Sequence, residues 1–316
     1  MRLAFLGNDP WSVPPLEALA AGDHEIVLVV TNPPRPAGRG ARLTPTAIAE
    51  ASRRLGLPLA EAEGVNAGPG LAALEEAAPD VLVVVAYGEL LAPSSLALAP
   101  HGAVNLHFSL LPRWRGASPV QHALLAGDVT TGVTVMRMDA GLDTGPILAQ
   151  QEETVLEGED AGSLGMRLAE HGGRLLPRVL EAIGMGRAEA REQDAAGATL
   201  APKLTAQDRR IDWSNEAGAV VRRVRAFAPT PGATTIFRGE PLKVLGAEVR
   251  QLDAAPGVRP HPVGTLGEMH DGSDAPLVTT PNGHVLLVEV APAGRKRMPA
   301  ADWARGARIR SGERLG

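Results

Sequence analysis

Apolar residues fall in short, branched runs through the N-terminal part of the chain. LAFLG (3–7) and EIVLVVTN (25–32) bracket the helix-like PPLEALAAG, which predicts a strand–helix–strand unit. VLVVVAY (81–87) has no polar side, as a strand covered on both faces of a parallel sheet requires. GAVNLHF (102–108) and GVTVMRM (132–138) predict two further strands, with ASPVQHALLAG between them as a helix. This alternation predicts an α/β fold with a Rossmann-like, doubly wound, mostly parallel sheet. Its site should lie outside the carboxyl ends of the strands. Asp160 to Met185 predicts a long helix with Asp160 at its N-cap.

After that helix the pattern changes. Gly, Ala and polar residues run to PKLT, and 191–206 is predicted to be a linker. EAGAVVRRVRAFA (216–228) predicts one more helix. ATTIFRG, PLKVLGAEV, PVGTLGEM, APLVTT and HVLLVEVAPA then follow, separated by turns containing Gly, Pro or Asp. About five short strands in such a stretch predict a small OB-fold-like β-barrel. The domains expected are therefore 1–190, the linker, and 207–316.

One predicted strand carries polar groups where apolar ones would be ordinary. Asn105 and His107 alternate along VNLH, so both side chains leave the same face. Asp143 follows in the Gly-rich stretch MDAGLDTGPI (138–147), where it could reach the imidazole. An amide donor, a group that changes charge near neutral pH and an orienting carboxylate suit acyl chemistry. A lone His at a strand end is more often structural than catalytic. Residue types and spacing alone leave the two readings about even.

Composition adds limits. Across 316 residues, 44% hydrophobic and 21% charged content is ordinary for a globular protein of two domains. Aromatic residues make up only 3%, so aliphatic side chains and Ala must build the cores. The absence of Cys excludes disulfides and thiolate metal sites. MRLAFLGNDP begins directly in a strand and is too short an apolar run for a signal peptide or membrane span, so a cytoplasmic location is expected. No GxGxxG or GxxxxGK[ST] occurs, which argues against NAD or ATP on this sheet, and no metal-ligand spacing such as HExxH occurs. The net charge of −5 hides an asymmetry. Residues 1–202 hold 14 Arg and no Lys against 24 acids, a net of −10. Residues 203–316 hold 14 Arg and 3 Lys against 12 acids, a net of +5, which suits an appendage that meets a polyanion.

The runs NLHFSLLPRWRGASPVQHALLAGD and TGVTVMRMDAGLDTGPIL resemble the N10-formyltetrahydrofolate-dependent formyltransferases. The likeness covers essentially the whole chain. It includes LAFLGNDPWSVPPLEAL, TNPPRPAGRGARLTP, VLVVVAYGELL and PKLTAQDRRIDW in order. NxH, SLLPxxRG and DxGxDTG mark the superfamily, while the PAGRG loop and the C-terminal domain resemble its tRNA-formylating branch. Two departures stand out. Phe108 replaces the Gly often found after the His, and Asn8-Asp9-Pro10-Trp11 replaces the common Thr-Pro-Asp-Phe.

The resemblance implies transfer of a formyl group from 10-formyltetrahydrofolate to the α-amine of methionine on initiator tRNA, with no metal, by a monomer. It implies Asn105, His107 and Asp143 as the catalytic trio. Asn105 and His107 would meet the developing oxyanion, and Asp143 would orient the imidazole and favour its charged form. Ala86, Tyr87, Gly88, Leu90, Leu91, Gly141, Leu142 and Thr144 would contact folate, with Ser109, Leu110, Leu111 and Pro112 walling the pocket. Arg35, Arg39 and Arg42 lie in the basic, Pro- and Gly-rich stretch 34–43, which reads as a flexible loop and in the family enters the acceptor end of tRNA. Lys203 matches another basic family position, whereas Thr205-Ala206 stands where a further Lys is common. Arg113 and Arg115 suit either internal pairing or a polyanion. Two other readings share the trio or the sheet. One is a formyltransferase for a sugar nucleotide or glycinamide ribotide, or a formyl-folate hydrolase. The other is a non-catalytic RNA-binding protein.

Overall fold

In the computed structural model, residues 1–37, 40, 42–250, 262–267 and 275–316 are described. The branched runs become strands, as their pattern predicts. β1 (Arg2–Gly7) leads through a helical turn at Pro10–Ser12 into α1 (Val13–Ala20) and β2 (Glu25–Thr31). A hairpin of β3 (Arg35–Ala37) and β4 (Arg42–Thr44) precedes α2 (Ala47–Leu55), β5 (Leu59–Glu61), α3 (Gly68–Ala77) and β6 (Val81–Val85). Then come α4 (Pro93–Leu96), β7 (Ala103–His107), α5 (Pro119–Ala126), β8 (Thr130–Arg137), β9 (Ile147–Thr154) and α6 (Ala161–Gly184). The basic stretch read as a flexible loop thus contains two short antiparallel strands, with Arg35 opposite Thr44 and Pro36 opposite Leu43.

Seven strands form one sheet in the order β5-β2-β1-β6-β7-β8-β9. The pairs from β5 to β7 are parallel, and β8 and β9 add an antiparallel edge. The chain lays strands outward from β1 to β2 and β5, then returns to place β6 on the other side of β1. That reversal of order opens a crevice beyond the carboxyl ends of β1 and β6, where doubly wound sheets hold ligands.

Alternation along the strands builds the core. Ala4, Leu6, Leu28, Val30, Leu82 and Val84 form one cluster with Val65, Leu74, Tyr87 and Leu91. All five residues of β6 are buried, which fits its unbroken apolar run. On α6, Asp160 caps the first turn by accepting from the Ser163 amide at 2.8 Å, and Ser163 Oγ accepts from the Asp160 amide at 3.0 Å. Two glycines then let α6 come close to its neighbours. A Cβ at Gly172 would stand 2.5 Å from Leu106 of β7, and one at Gly165 would stand 2.1 Å from the Trp11 ring.

The chain divides into two compact units. One is Met1–Pro119, Thr130–Thr154 and Gly165–Pro202; the other is Val120–Val129, Val155–Leu164 and Lys203–Gly316. The stretch read as a linker therefore joins the first unit as far as Pro202. The second unit contains α7 (Ala217–Phe227), β10 (Ala233–Phe237), β11 (Glu240–Arg250), β12 (Leu266–Gly267), β13 (Leu277–Thr280), β14 (Gly283–Pro292), β15 (Met298–Pro299) and α8 (Ala300–Ala307). Its antiparallel path is β10-β11-β14-β13-β12, with β15 on β14. The last residues bridge both ends of that path, Leu315 pairing with Phe237 and Arg314 with Thr265. Among the described residues the expected small barrel is thus an antiparallel sheet whose two ends are bridged by the C-terminal residues. No helix among the described residues is long and apolar enough to cross a membrane.

The close approach at Gly165 makes a test of the packing. In an open helix position, Gly→Ala would stabilise by about 0.8–1.0 kcal/mol. Here the added methyl must displace Trp11, so Gly165→Ala should instead cost about 1–3 kcal/mol. Urea unfolding measures the sign, and a more stable variant would mean that Trp11 does not occupy this space.

Candidate active site

Asn105 lies in the middle of β7, the strand beside β6, and His107 ends it, while Leu106 between them faces the other way, toward Gly172 of α6. Their shared face meets Asp143, which the turn after β8 carries in. Asn105 Nδ2 donates to Asp143 Oδ1 at 3.3 Å. His107 Nδ1 lies 3.7 Å from Asp143 Oδ2, an ion-pair distance rather than a hydrogen bond. The backbone N–H of Gly116 donates to the same oxygen at 2.8 Å. The imidazole and the carboxylate are 6% and 13% exposed, so water competes little with these interactions.

His107 Nε2 lies 2.8 Å from the Trp114 carbonyl oxygen, which can only accept. Nε2 therefore carries a hydrogen, and Nδ1 is the nitrogen left to exchange a proton. The geometry narrows the expectation that either N–H could meet an oxyanion, because the Nε2 hydrogen is already engaged. Asn105 uses one amide hydrogen on Asp143 and keeps a second for a ligand.

Two strained residues supply this geometry. Asp143 has φ 52° and Trp114 has φ 63°, in the left-handed region that costs most side chains energy. Neighbouring bonds hold them. The Trp114 amide donates to the Thr199 hydroxyl at 2.9 Å, and the Arg113 guanidinium covers the Trp114 ring at 4.4 Å. Asp139 accepts from the Gly141 amide at 3.0 Å and from the Thr144 hydroxyl at 2.7 Å, which closes the turn that carries Asp143.

Gln193 completes this support, and nothing in its polar, unpatterned surroundings marked it. Its Nε2 donates to the carbonyls of Asp143 at 2.9 Å and Gly145 at 2.7 Å. Its Oε1 accepts two bonds from Arg115, at 3.0 and 2.7 Å. Arg115 is thus paired internally. The segment around Gln193 is laced to the 112–118 loop, with the Arg115 amide donating to the Thr199 carbonyl and the Ala201 amide to the Arg115 carbonyl.

The remaining predicted residues divide by exposure. Along the loop leaving β6, Tyr87 and Leu91 are buried in the core cluster, while Ala86 is half-buried and Gly88 and Leu90 are exposed. Ser109 is buried with its hydroxyl donating to the Arg113 carbonyl, and Leu111 packs with Met136 and Ile147. Leu110 and Pro112 are half-buried. Leu90 is 58% exposed and Leu142 is 46% exposed. Large apolar side chains left open on loops that border a polar trio suit a planar heterocycle with apolar faces. The Tyr87 hydroxyl is buried with no hydrogen-bond partner. Burial, and then the Glu89 carboxylate, push its ionisation above the ordinary phenol range, so it stays a neutral donor. These features fit a pterin. Arg35 and Arg42 are exposed on the hairpin and Lys203 is exposed at the start of the second unit's main segment. Arg39 lies outside the described residues. Near the site the two departures from the family pattern meet, Trp11 and Phe108 packing edge to face at 5.9 Å.

Similarity to known proteins identifies the family. The profile of the family described as Formyl transferase matches residues 1–180, and that of Formyl transferase, C-terminal domain, matches 203–308. The methionyl-tRNA formyltransferase of Streptomyces coelicolor is 45% identical over all of this chain and 100% of its own length. That of Thermus thermophilus is 43% identical over all of this chain and 99% of its own length. Among solved structures, HypX from Aquifex aeolicus in complex with tetrahydrofolic acid shares the fold, with a TM-score of 0.62 at 18% identity, over 96% of this chain and 47% of that one. The chain belongs to the formyl transferase family and, within it, to the methionyl-tRNA formyltransferases.

Gln193 gives the site its own test. Gln193→Ala leaves two carbonyls and the Arg115 fork without their partner and frees the Asp143 turn. Turnover should fall by about one to two decades, since small displacements of catalytic groups cost that much, while far-UV circular dichroism stays that of the parent. Unchanged turnover would show that Asp143 is held without Gln193.

Proposed function

We propose that Asn105, His107 and Asp143 are the groups with which this protein transfers the formyl group of 10-formyltetrahydrofolate to the α-amine of methionine on initiator tRNA. The observation that carries the reading is their convergence at the strand ends, with one amide hydrogen and one imidazole nitrogen left open. Membership of the family supplies the substrates that this chemistry would serve. It also favours methionyl-tRNA over the sugar-nucleotide and glycinamide ribotide alternatives, because full-length relatives at 43–45% identity carry that name.

When bound, the folate supplies a formyl carbon activated by a nitrogen leaving group. Asn105 donates its free amide hydrogen to the formyl oxygen as negative charge grows there, a contribution of about 2.7–4 kcal/mol for a well-placed donor. His107 Nδ1 takes the proton that the attacking amine must lose, directly or through a water, and returns one to the departing nitrogen. Asp143 stabilises the imidazolium while it exists and holds Asn105 by accepting from its amide. The amine loses one proton and the leaving nitrogen gains one, so no external acid is consumed.

Leu90, Leu142, the backbone at Ala86 and Gly88, and the Tyr87 hydroxyl are the groups assigned to the pterin. Gly141 and Thr144 serve by shaping the turn, and Ser109, Leu110, Leu111 and Pro112 by forming the wall behind His107. Arg35, Arg39 and Arg42 are assigned to the acceptor arm, and Lys203 with the net positive 203–316 segment to the tRNA body. Arginine suits the hairpin because its planar head pairs with phosphate and stacks on bases.

An assay with charged initiator tRNA and 10-formyltetrahydrofolate tests the function, and a wild-type protein that forms no formylmethionyl-tRNA would refute it. In the same assay Asn105→Ala, His107→Ala and Asp143→Ala should each lose about two decades or more of turnover. A double variant should lose far less than the product of the singles, because the three act as a unit. Multiplicative losses would mean independent roles.

The hairpin makes a separate prediction. Arg35→Ala combined with Arg42→Ala should raise KM for charged tRNA severalfold. It should also flatten the dependence of that KM on salt, by about one unit of log–log slope for each phosphate the arginines had neutralised. The KM for folate should stay at its parental value. A rise in both would assign these arginines to stability rather than to tRNA.

A further inference from the structure

We propose that Asn8 is a positioning residue that couples the two substrate sites. Its side-chain amide joins the 86–91 loop to both roots of the basic hairpin. The proposal rests on the functional reading above, which assigns the loop to folate and the hairpin to tRNA.

Asn8 follows the last residue of β1, at the point where the strand order reverses. From there the first β–α turn reaches three successive carbonyls at the end of β6. The Ser12 hydroxyl donates to Val85 at 2.7 Å, the Asn8 amide to Ala86 at 3.3 Å, and Asn8 Nδ2 to Tyr87. Ala86 has φ 44°, a conformation its own side chain disfavours. Bonds from outside must therefore hold the start of this loop, and Asn8 supplies two of them.

The other end of the same amide faces the hairpin. Asn8 Oδ1 accepts from the Asn32 backbone N–H at 2.7 Å and from the Thr31 hydroxyl at 3.0 Å. The Thr31 and Thr46 hydroxyl oxygens lie 2.7 Å apart. Thr31 and Asn32 are where the chain departs toward β3, and Thr46 is where it returns from β4 to cap α2. Both roots of the excursion thus end on one side chain.

Proton counting gives this chain of bonds one direction. The Ala49 N–H donates to Thr46 Oγ at 3.0 Å. Thr31 spends its only hydroxyl hydrogen on Asn8 Oδ1, so the hydroxyl of Thr46 must donate to Thr31. The donors therefore run from the α2 N-terminus through Thr46, Thr31 and Asn8 to the Tyr87 carbonyl. Bonds aligned head to tail polarise one another, and Thr31 is fully buried, which keeps water out of the relay. An amide suits this position because it accepts on one atom and donates from the next, so that Asn8 holds both partners at once. A ligand that fixes Tyr87 fixes the hairpin roots through the same bonds, and linkage makes the effect reciprocal.

The experiment uses the full chain with two unreactive probes, tetrahydrofolate and uncharged initiator tRNA. The affinity for tetrahydrofolate is measured with and without saturating tRNA. The wild-type ratio should be about fivefold or more. Asn8→Asp keeps the acceptor for Asn32 and Thr31 but loses the donor toward Tyr87. It should weaken tetrahydrofolate alone, leave tRNA alone unchanged, and bring the ratio close to one. Thr31→Val, nearly isosteric, instead breaks the link from Asn8 to Thr46 at the returning root while the Asn32 N–H bond stays; tetrahydrofolate alone should bind as before while the ratio falls toward one. A purely structural role would lower the unfolding midpoint of both variants and leave the ratio at its wild-type value, which overturns the proposal. So does a wild-type ratio of one with both probes bound. Failure of the wild type to bind tetrahydrofolate or tRNA at all would instead remove the functional reading on which the proposal rests.

Discussion

The site depends on placing one carboxylate where water barely reaches it. A buried charge is costly unless its lone pairs are occupied. Asp143 meets that demand with hydrogen bonds from the Asn105 amide and the Gly116 N–H, and its Oδ2 faces Nδ1 of His107 at 3.7 Å. Each of those groups comes from β7 or the loop after it, so satisfying the carboxylate also sets the groups proposed to react. The left-handed backbone at Asp143 brings the carboxylate inward, and Gln193 together with Asp139 holds the turn in that shape. The proposed catalytic geometry and polar satisfaction are one constraint here.

The same constraint explains why His107 is held by its far nitrogen. A ring free to rotate would present either nitrogen to the amine. The Trp114 carbonyl removes that freedom by accepting from Nε2, and Trp114 is itself locked by Thr199. The residues between Gln193 and Ala201, which carry no recognisable motif, therefore serve the site from behind. They do so through backbone bonds and the side chains of Gln193 and Thr199, an arrangement that leaves no periodic trace in a sequence.

What was legible follows from that distinction. Strands β1, β2, β6, β7 and β8 and helices α5, α6 and α7 announce themselves through period, apolar runs or caps, and the sheet class follows from their alternation. Asn105 and His107 are readable because polar residues break an apolar strand on one face. Asp143 is readable from the family motif more than from physics, since its approach to His107 spans a turn whose conformation sequence pattern does not fix. The hairpin at 35–44 was hidden because the two Pro and two Gly of 34–43 normally signal irregular chain, and because strands of three residues have no period to detect. Gln193 was hidden because a single amide in a polar stretch looks like solvated surface.

The departures at positions 8–11 and 108 show how a change of residue is accommodated as a set. Trp11 is larger than the Phe common at its position, and Phe108 adds a ring where Gly is common. The two rings pack edge to face, and Gly165 on α6 leaves the space that Trp11 fills. Asn8 belongs to the same turn and contributes polar bonds where its neighbours contribute rings. The turn after β1 therefore does by packing and by hydrogen bonding what a glycine-rich phosphate loop does in nucleotide-binding sheets: it fixes the mouth of the crevice. Here the fixed object is the neighbouring loop rather than a phosphate, which is why the missing glycines cost the fold nothing.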